Sequence, residues 1–105
     1  MANEYIVQYT TPTITITFPT VDVTTIHEAY LVFKYADTNI LVKELADAVV
    51  GDGTLSWTLT QVDTGKLPLN ATVRVYCDWV LVDTTRGRSR YADYAIVETG
   101  ISEVI

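Results

Sequence analysis

The chain has one histidine, His27, and one cysteine, Cys77. An imidazole that moves protons needs a second group to orient it and set its pKa. Glu28 is adjacent in sequence, but adjacent residues of a strand point to opposite faces. His27 therefore reads as an exposed residue at a strand start. Cys77 lies inside an apolar, strand-like run, where a small thiol packs as a hydrophobe. A reactive thiolate wants exposure and cationic neighbours, and the neighbour here is Asp78. One cysteine also excludes an intrachain disulfide. One His and one Cys cannot supply the four N or S ligands of structural zinc. Asp47, Asp52 and Asp63 are loop carboxylates, but calcium sites draw oxygens from alternating loop positions, and Asp47 and Asp52 lack that spacing. No Gly-x-Ser-x-Gly nucleophile elbow occurs. The expectation is no catalytic residue, no metal site and no cofactor, and hence no enzyme.

Two groups of residues point to contacts instead. Arg86, Arg88 and Arg90 form a compact basic hairpin on an otherwise acidic chain. Such asymmetry orients a partner, and arginine forms bidentate contacts with carboxylates. The bland alternative is a solvated tip that balances Asp83 and Asp93. A basic tip meeting an acidic face of a neighbouring copy would use both charges. Second, a long strand from Thr72 to Asp83 places Val73, Val75, Cys77, Trp79 and Leu81 on one face. Its other face carries Arg74, Tyr76, Asp78, Val80 and Val82. With Tyr76, Val80 and Val82 on that second face the strand is apolar on both sides, which points to burial against another layer or a partner subunit; the alternative is a strand that crosses from edge to core along its length. Tyr76, Val80, Val82, Arg86, Arg88 and Arg90 are therefore the candidate interface. Trp57 and Trp79 sit on alternating apolar faces and read as core; exposed tyrosines, if any, would serve as a sugar-stacking or protein-anchoring platform.

The elements that must position these residues are strands. Thr13-Ile14-Thr15-Ile16-Thr17-Phe18 alternates threonine with large apolar residues, so Ile14, Ile16 and Phe18 share one face and the threonines the other. The pattern recurs at Leu55-Ser56-Trp57-Thr58-Leu59-Thr60. The chain holds 17 Thr, 14 Val and 8 Ile, and β-branched residues pack well on pleated surfaces. Seven strands are expected: Glu4–Tyr9, Thr13–Phe18, Glu28–Tyr35, Ile40–Leu45, Thr54–Thr60, Thr72–Asp83 and Ser89–Glu98. Pro12 and Pro19 bracket the second, and the turn Ala36-Asp37-Thr38-Asn39 joins the third and fourth as a hairpin. Thr60 followed by Asp63 is a helix-start signature, so one helical turn is expected there, ended by Pro68. Short strands at near-regular spacing indicate a sandwich. The fold class expected is an all-β, immunoglobulin-like antiparallel β-sandwich of about seven strands with one short helical turn, a single domain over residues 1–105.

Bulk properties narrow the partners. A 105-residue chain that is 49% hydrophobic can bury one core without staples. The net charge of −6 disfavours nucleic acid, whose nonspecific binding needs Lys and Arg on phosphates, and disfavours anionic membrane surfaces. No apolar run approaches a membrane span, and Met1-Ala2-Asn3-Glu4 does not read as a secretory signal. Neither nucleic acid nor membrane is expected as a partner.

The run Thr11 to Phe18, the strand Ala29-Tyr30-Leu31-Val32-Phe33-Lys34, the segment Gly53 to Gln61 with Leu67 following, and the closing Ser102-Glu103-Val104-Ile105 resemble small tailed-phage and prophage virion structural proteins. They are similar in particular to the N-terminal domain of phage baseplate upper proteins. The resemblance runs from about Pro12 to the end; Val62-Asp63 departs from the pair of acids usual after Gln. It implies a non-enzymatic virion component of tail, baseplate or head, assembled in the host cytoplasm. Its partners would be other virion proteins and further copies of itself. The chain termini would add strands to neighbours by edge pairing. The alternative, from a different class, is a carbohydrate- or receptor-binding β-sandwich module.

Overall fold

The computed structural model describes residues 4–98. Among these residues nine strands form two sheets. The larger contains β1 (Glu4–Val7), β3 (Ile26–Tyr35), β4 (Thr38–Glu44), β7 (Thr72–Leu81), β8 (Arg86–Arg88) and β9 (Ala92–Val97), in the order β1-β9-β7-β3-β4 with β8 also pairing β7. The smaller contains β2 (Thr13–Thr17), β5 (Val49–Val50) and β6 (Thr54–Thr58), in the order β2-β6-β5. Their facing surfaces bury one cluster that includes Ile14, Phe18, Leu31, Phe33, Leu55, Trp57, Leu59, Val73, Val75 and Cys77.

Alternation sets the faces. Ile14 is buried and Thr13, Thr15 and Thr17 are exposed. The outward hydroxyls bond across the pair to β6, Thr13 to Thr58 at 2.9 Å and Thr15 to Ser56 at 3.0 Å. Trp57 is fully buried, and its indole N–H donates to the Glu44 carbonyl at 2.9 Å. Burying an indole without a partner is costly, so this bond lets the largest core side chain sit in the sandwich centre and also ties the two sheets together. The β3–β4 hairpin turns on Ala36 and Asp37, both at positive φ (50° and 64°), the geometry of a two-residue turn that matches strand twist.

The expected helical turn is α1 (Gln61–Gly65). Thr60 Oγ1 accepts from the Asp63 N–H and the Asp63 carboxylate accepts from the Thr60 N–H, both at 3.0 Å, a reciprocal cap. Buried Thr64 accepts from the Thr10 N–H (3.1 Å) and donates to the Thr10 carbonyl (2.9 Å). The crossing helix is thereby pinned to the link between β1 and β2.

The strand order assigns the fold. With β2-β6-β5 on one side and β4-β3-β7-β9 on the other, the connections reproduce the two sheets of an immunoglobulin-like sandwich. Cys77 lies on the strand that carries one half of that fold's inter-sheet bridge in antibody domains; here it is a lone buried thiol.

Three expectations are corrected. Among the described residues the strands number nine, because Val49–Val50 forms a short edge strand on β6 and Arg86–Arg88, expected as a loop before the last strand, pairs with β7 as β8. The sheet is mixed, since β1 runs parallel to β9 with Glu4 opposite Tyr94 and Val7 opposite Val97. Alternation reports which face a residue takes and carries no information on strand direction. The sixth expected strand ends at Leu81, before a turn with Thr84 at φ 72°, so Val82 lies beyond it.

Candidate interaction surface

The expected chemical residues stand apart from one another. His27 is exposed on β3, and Glu28, its neighbour, instead accepts a hydrogen bond from the Tyr30 hydroxyl at 2.7 Å. That bond and the carboxylate's charge raise the Tyr30 phenol above its ordinary value. The strand pairing shifts register between Ile26 and Glu28, which leaves both His27 and Glu28 on the surface. Asp47 accepts from the Glu44 N–H, Asp52 sits exposed in the glycine turn, and Asp63 caps α1. Among the described residues, no group of three or more His, Cys, Asp or Glu side chains lies close enough to hold a metal ion, and no helix is long and apolar enough to cross a membrane. Burial, reinforced by Asp78, pushes the Cys77 thiol up to about 12, so its nucleophilic form is suppressed.

The outward face of the large sheet is the most developed surface. Register places its side chains in rows across the strands. One row runs Glu44, Tyr30, Asp78, Arg88, and the next Glu28, Val80, Arg86. A third joins Val42, Val32 and Tyr76, and a fourth Lys34, Arg74 and Asp93. Val32 and Tyr76 are each only 5% exposed although they point away from the core. Part of that cover is polar in origin. The Arg88 guanidinium lies over the Tyr76 ring at 4.3 Å and forks onto both oxygens of Asp78. Arg74 lies over Tyr91 at 3.6 Å and bonds Asp93 at 3.3 Å. A guanidinium stacked on a ring and bonded to a carboxylate is held in place, and rigid aromatics and arginines are the side chains that anchor protein contacts.

The structure separates the six candidate interface residues. Tyr76, Val80, Arg86 and Arg88 share this face. Val82 does not extend it; its backbone N–H instead bonds the Thr25 carbonyl at 2.8 Å, and its side chain is 68% exposed. Arg90 lies in the link to β9, lining a different groove. The hairpin tip expected as a loop is itself strand, β8, because Arg86 to Arg88 pair with Val80 to Asp78. Of these arginines Arg88 is balanced by Asp78; Asp93 pairs with Arg74 instead, and Asp83 accepts from the Thr85 N–H within the turn.

Gly87 explains how so short a strand packs. A Cβ there would lie 2.6 Å from Cε2 of the Trp79 indole. Trp79 is half-buried and meets Phe18 edge-on, centroids 5.1 Å apart at 89°. Between β8 and β9 the Cys77 N–H would lose its ladder partner, and Ser89 Oγ accepts it at 2.9 Å.

A second feature is a groove of ≈ 770 Å³ beside β2, which is an edge of the small sheet among the described residues. Its walls include Ile16, Phe18, Trp79, Tyr91 and Tyr94. Burial, with a hydrogen bond to Glu4, pushes the Tyr94 phenol up to about 12. Sequence reading missed this groove, since it is made by elements from opposite ends of the chain. It also missed the acids Glu28 and Glu44, although their shared parity with Tyr30 and Val42 placed them on one face. The edge pairing expected of residues 1–3 and 101–105 lies outside the described residues, as does the closing motif Ser102 to Ile105; Glu4 pairs with Tyr94 inside β1.

No protein-family model, curated protein or solved structure matches the chain significantly.

Proposed function

We propose that the chain is a non-enzymatic assembly module of a tailed-phage virion, part of its tail, baseplate or head, working through protein–protein contacts. The sequence resemblance over Pro12 to the C-terminus suggests the virion, and the immunoglobulin-like sandwich fits it. The observation that carries the contact role is the outward face of the large sheet. It is an aromatic and aliphatic stripe interleaved with charged side chains, with Arg88 clamped over Tyr76 and onto Asp78. Its partners are other copies and other virion proteins. Virion assembly takes place in the host cytoplasm.

Light scattering on a sizing column, over a range of concentrations, tests the reading. The expected result is a defined oligomer. Val80→Glu should shift it to a smaller species with unchanged far-UV CD, and an oligomer that ignores the substitution overturns the use of this face.

The aromatic groove beside β2 favours a second reading, a carbohydrate- or receptor-binding module. Tyr91 is 56% exposed at its rim. Glycan-array binding that Tyr91→Ala abolishes would favour this reading; an empty array would remove the glycan form of it.

A further inference from the structure

We infer that the groove beside β2 is a strand-addition site. Its occupant is an extended segment of another protein, apolar at alternate residues and carrying a carboxylate, which pairs with the free edge of β2. This goes beyond the assembly reading, which rests on the outward face of the large sheet, so either can fail alone.

The Phe18 N–H donates to the Gly53 carbonyl and the Leu59 N–H to the Pro12 carbonyl, both at 2.8 Å. In an antiparallel pair, residues whose backbone groups bond across the ladder alternate with residues whose groups point away. Pro12 and Phe18 bond across, and so do Ile14 and Ile16 between them, in register with Trp57 and Leu55. The N–H and C=O groups of Thr13, Thr15 and Thr17 therefore point away from β6, toward an edge where no further strand of the described residues lies. Such an edge is a template for one more strand. A polypeptide in β conformation repeats donors and acceptors at the same spacing, which is the basis of strand addition.

The groove lies on that same edge. Its described lining residues include none from β5 or β6; the wall opposite β2 comes from β1, β7, β9 and the link between β8 and β9. Ile16, Val21, Trp79 and Tyr94 all line it, and all are only partly buried although they pack against the core. The core is thus open along this seam. Side chains directly opposite one another in paired strands lie on the same face. Residues of an added strand opposite Ile14 and Ile16 would therefore point into the groove, toward Trp79 and Tyr94, and call for apolar side chains. Those between them would lie beside the exposed threonines.

Charge adds the carboxylate. Glu4, the acid among the described lining residues, already accepts from the Tyr94 hydroxyl. Arg90 on the groove wall is exposed and enters none of the ion pairs among the described residues. An acid on the incoming strand would pair with it. β2 has five residues, so the paired segment is about 17 Å long.

The probe is a capped heptapeptide of alternating valine and threonine with one glutamate, titrated into the full chain and followed by tryptophan fluorescence. Trp79 lines the groove and Trp57 is fully buried, so the change reports Trp79. Saturable binding is expected, with amide hydrogen exchange slowed at Thr15 and Thr17. Two further peptides carry N-methyl groups on alternate amides. A strand's amides point alternately to its two sides, so one of these peptides should bind at least about tenfold more weakly and the other as the parent peptide does. Arg90→Glu, with unchanged far-UV CD, should weaken the parent peptide at least about tenfold. No peptide binding, equal affinities of the two N-methylated peptides, or unchanged exchange at Thr15 and Thr17 overturns strand addition. Full affinity in Arg90→Glu overturns the carboxylate. A synthetic peptide of residues 99–105 that binds more tightly than the probe would make this chain the source and overturn the assignment to another protein.

Discussion

Asp63 links the crossing helix to the large sheet, and its removal should be among the more damaging single changes outside the core. Its carboxylate accepts from the Thr60 N–H at 3.0 Å and from Lys43 Nζ at 3.1 Å. The Asp63 side chain is 9% exposed and that of Lys43 20%, so water screens the pair poorly. A lost cap costs about 1 kcal/mol, and a hydrogen bond to a charged group contributes about 1.5–3 kcal/mol. Asp63→Ala should therefore cost about 2–4 kcal/mol, a large share of the stability of a small domain. Asp63→Asn keeps an acceptor for the Thr60 N–H and should cost about half as much. The pH dependence carries the sign. Burial raises the Asp63 carboxyl, but the Thr60 backbone bond and Lys43 outweigh it and hold it below the usual carboxylate range. A depressed folded-state pKa stabilises above the unfolded value, about 3.9, and that stability is lost as pH falls through the lower folded value. The advantage of the parent over Asp63→Asn should be full near neutrality and shrink in acid below the ordinary aspartate range. Urea unfolding followed by tryptophan fluorescence, from pH 7 downward, measures both effects. A cost for Asp63→Ala under about 0.5 kcal/mol, or a gap to Asp63→Asn that stays constant into acid, would refute the argument.

Trp57→Ala removes a fully buried indole and its bond to Glu44, so chemical denaturation should show a loss of about 3–5 kcal/mol; less than about 1 kcal/mol would mean the side chain is not core. Gly87→Ala forces a methyl toward the Trp79 indole and should cost about 1–3 kcal/mol, read as a lower urea midpoint, whereas an unchanged midpoint would mean β8 does not press on Trp79. Cys77 should stay unmodified by a disulfide reagent at pH 8 in the native state and react on unfolding, because its thiol is buried and pushed up to about 12; rapid native labelling would contradict that placement.

Much of the core was legible because its residues follow period-two alternation. Ile14, Phe18, Leu55 and Trp57 fall on the buried side that alternation assigns, and so do Val73, Val75 and Cys77. Thr60 and Asp63 likewise announced their helix, since a reciprocal cap is a contact between residues three apart. The candidate surface was legible only in part. Tyr76 and Val80 were placed on an outer face by parity. Part of the cover on Tyr76 is Arg88, which reaches it only because β8 folds back in a particular register. Arg-Gly-Arg has no strand propensity of its own, and pairing along β7 makes it a strand.

Local sequence thus determined the strands, their buried faces and the helical turn, because alternation and capping act between near neighbours. Only the tertiary structure decided the parallel pairing of β1 with β9, the stacked arginines and the groove beside β2. It also decided which charges meet across the large sheet, Arg88 with Asp78 and Arg74 with Asp93. Each of these joins residues far apart in the chain, and their meeting depends on strand order and register, which no local pattern of side chains encodes.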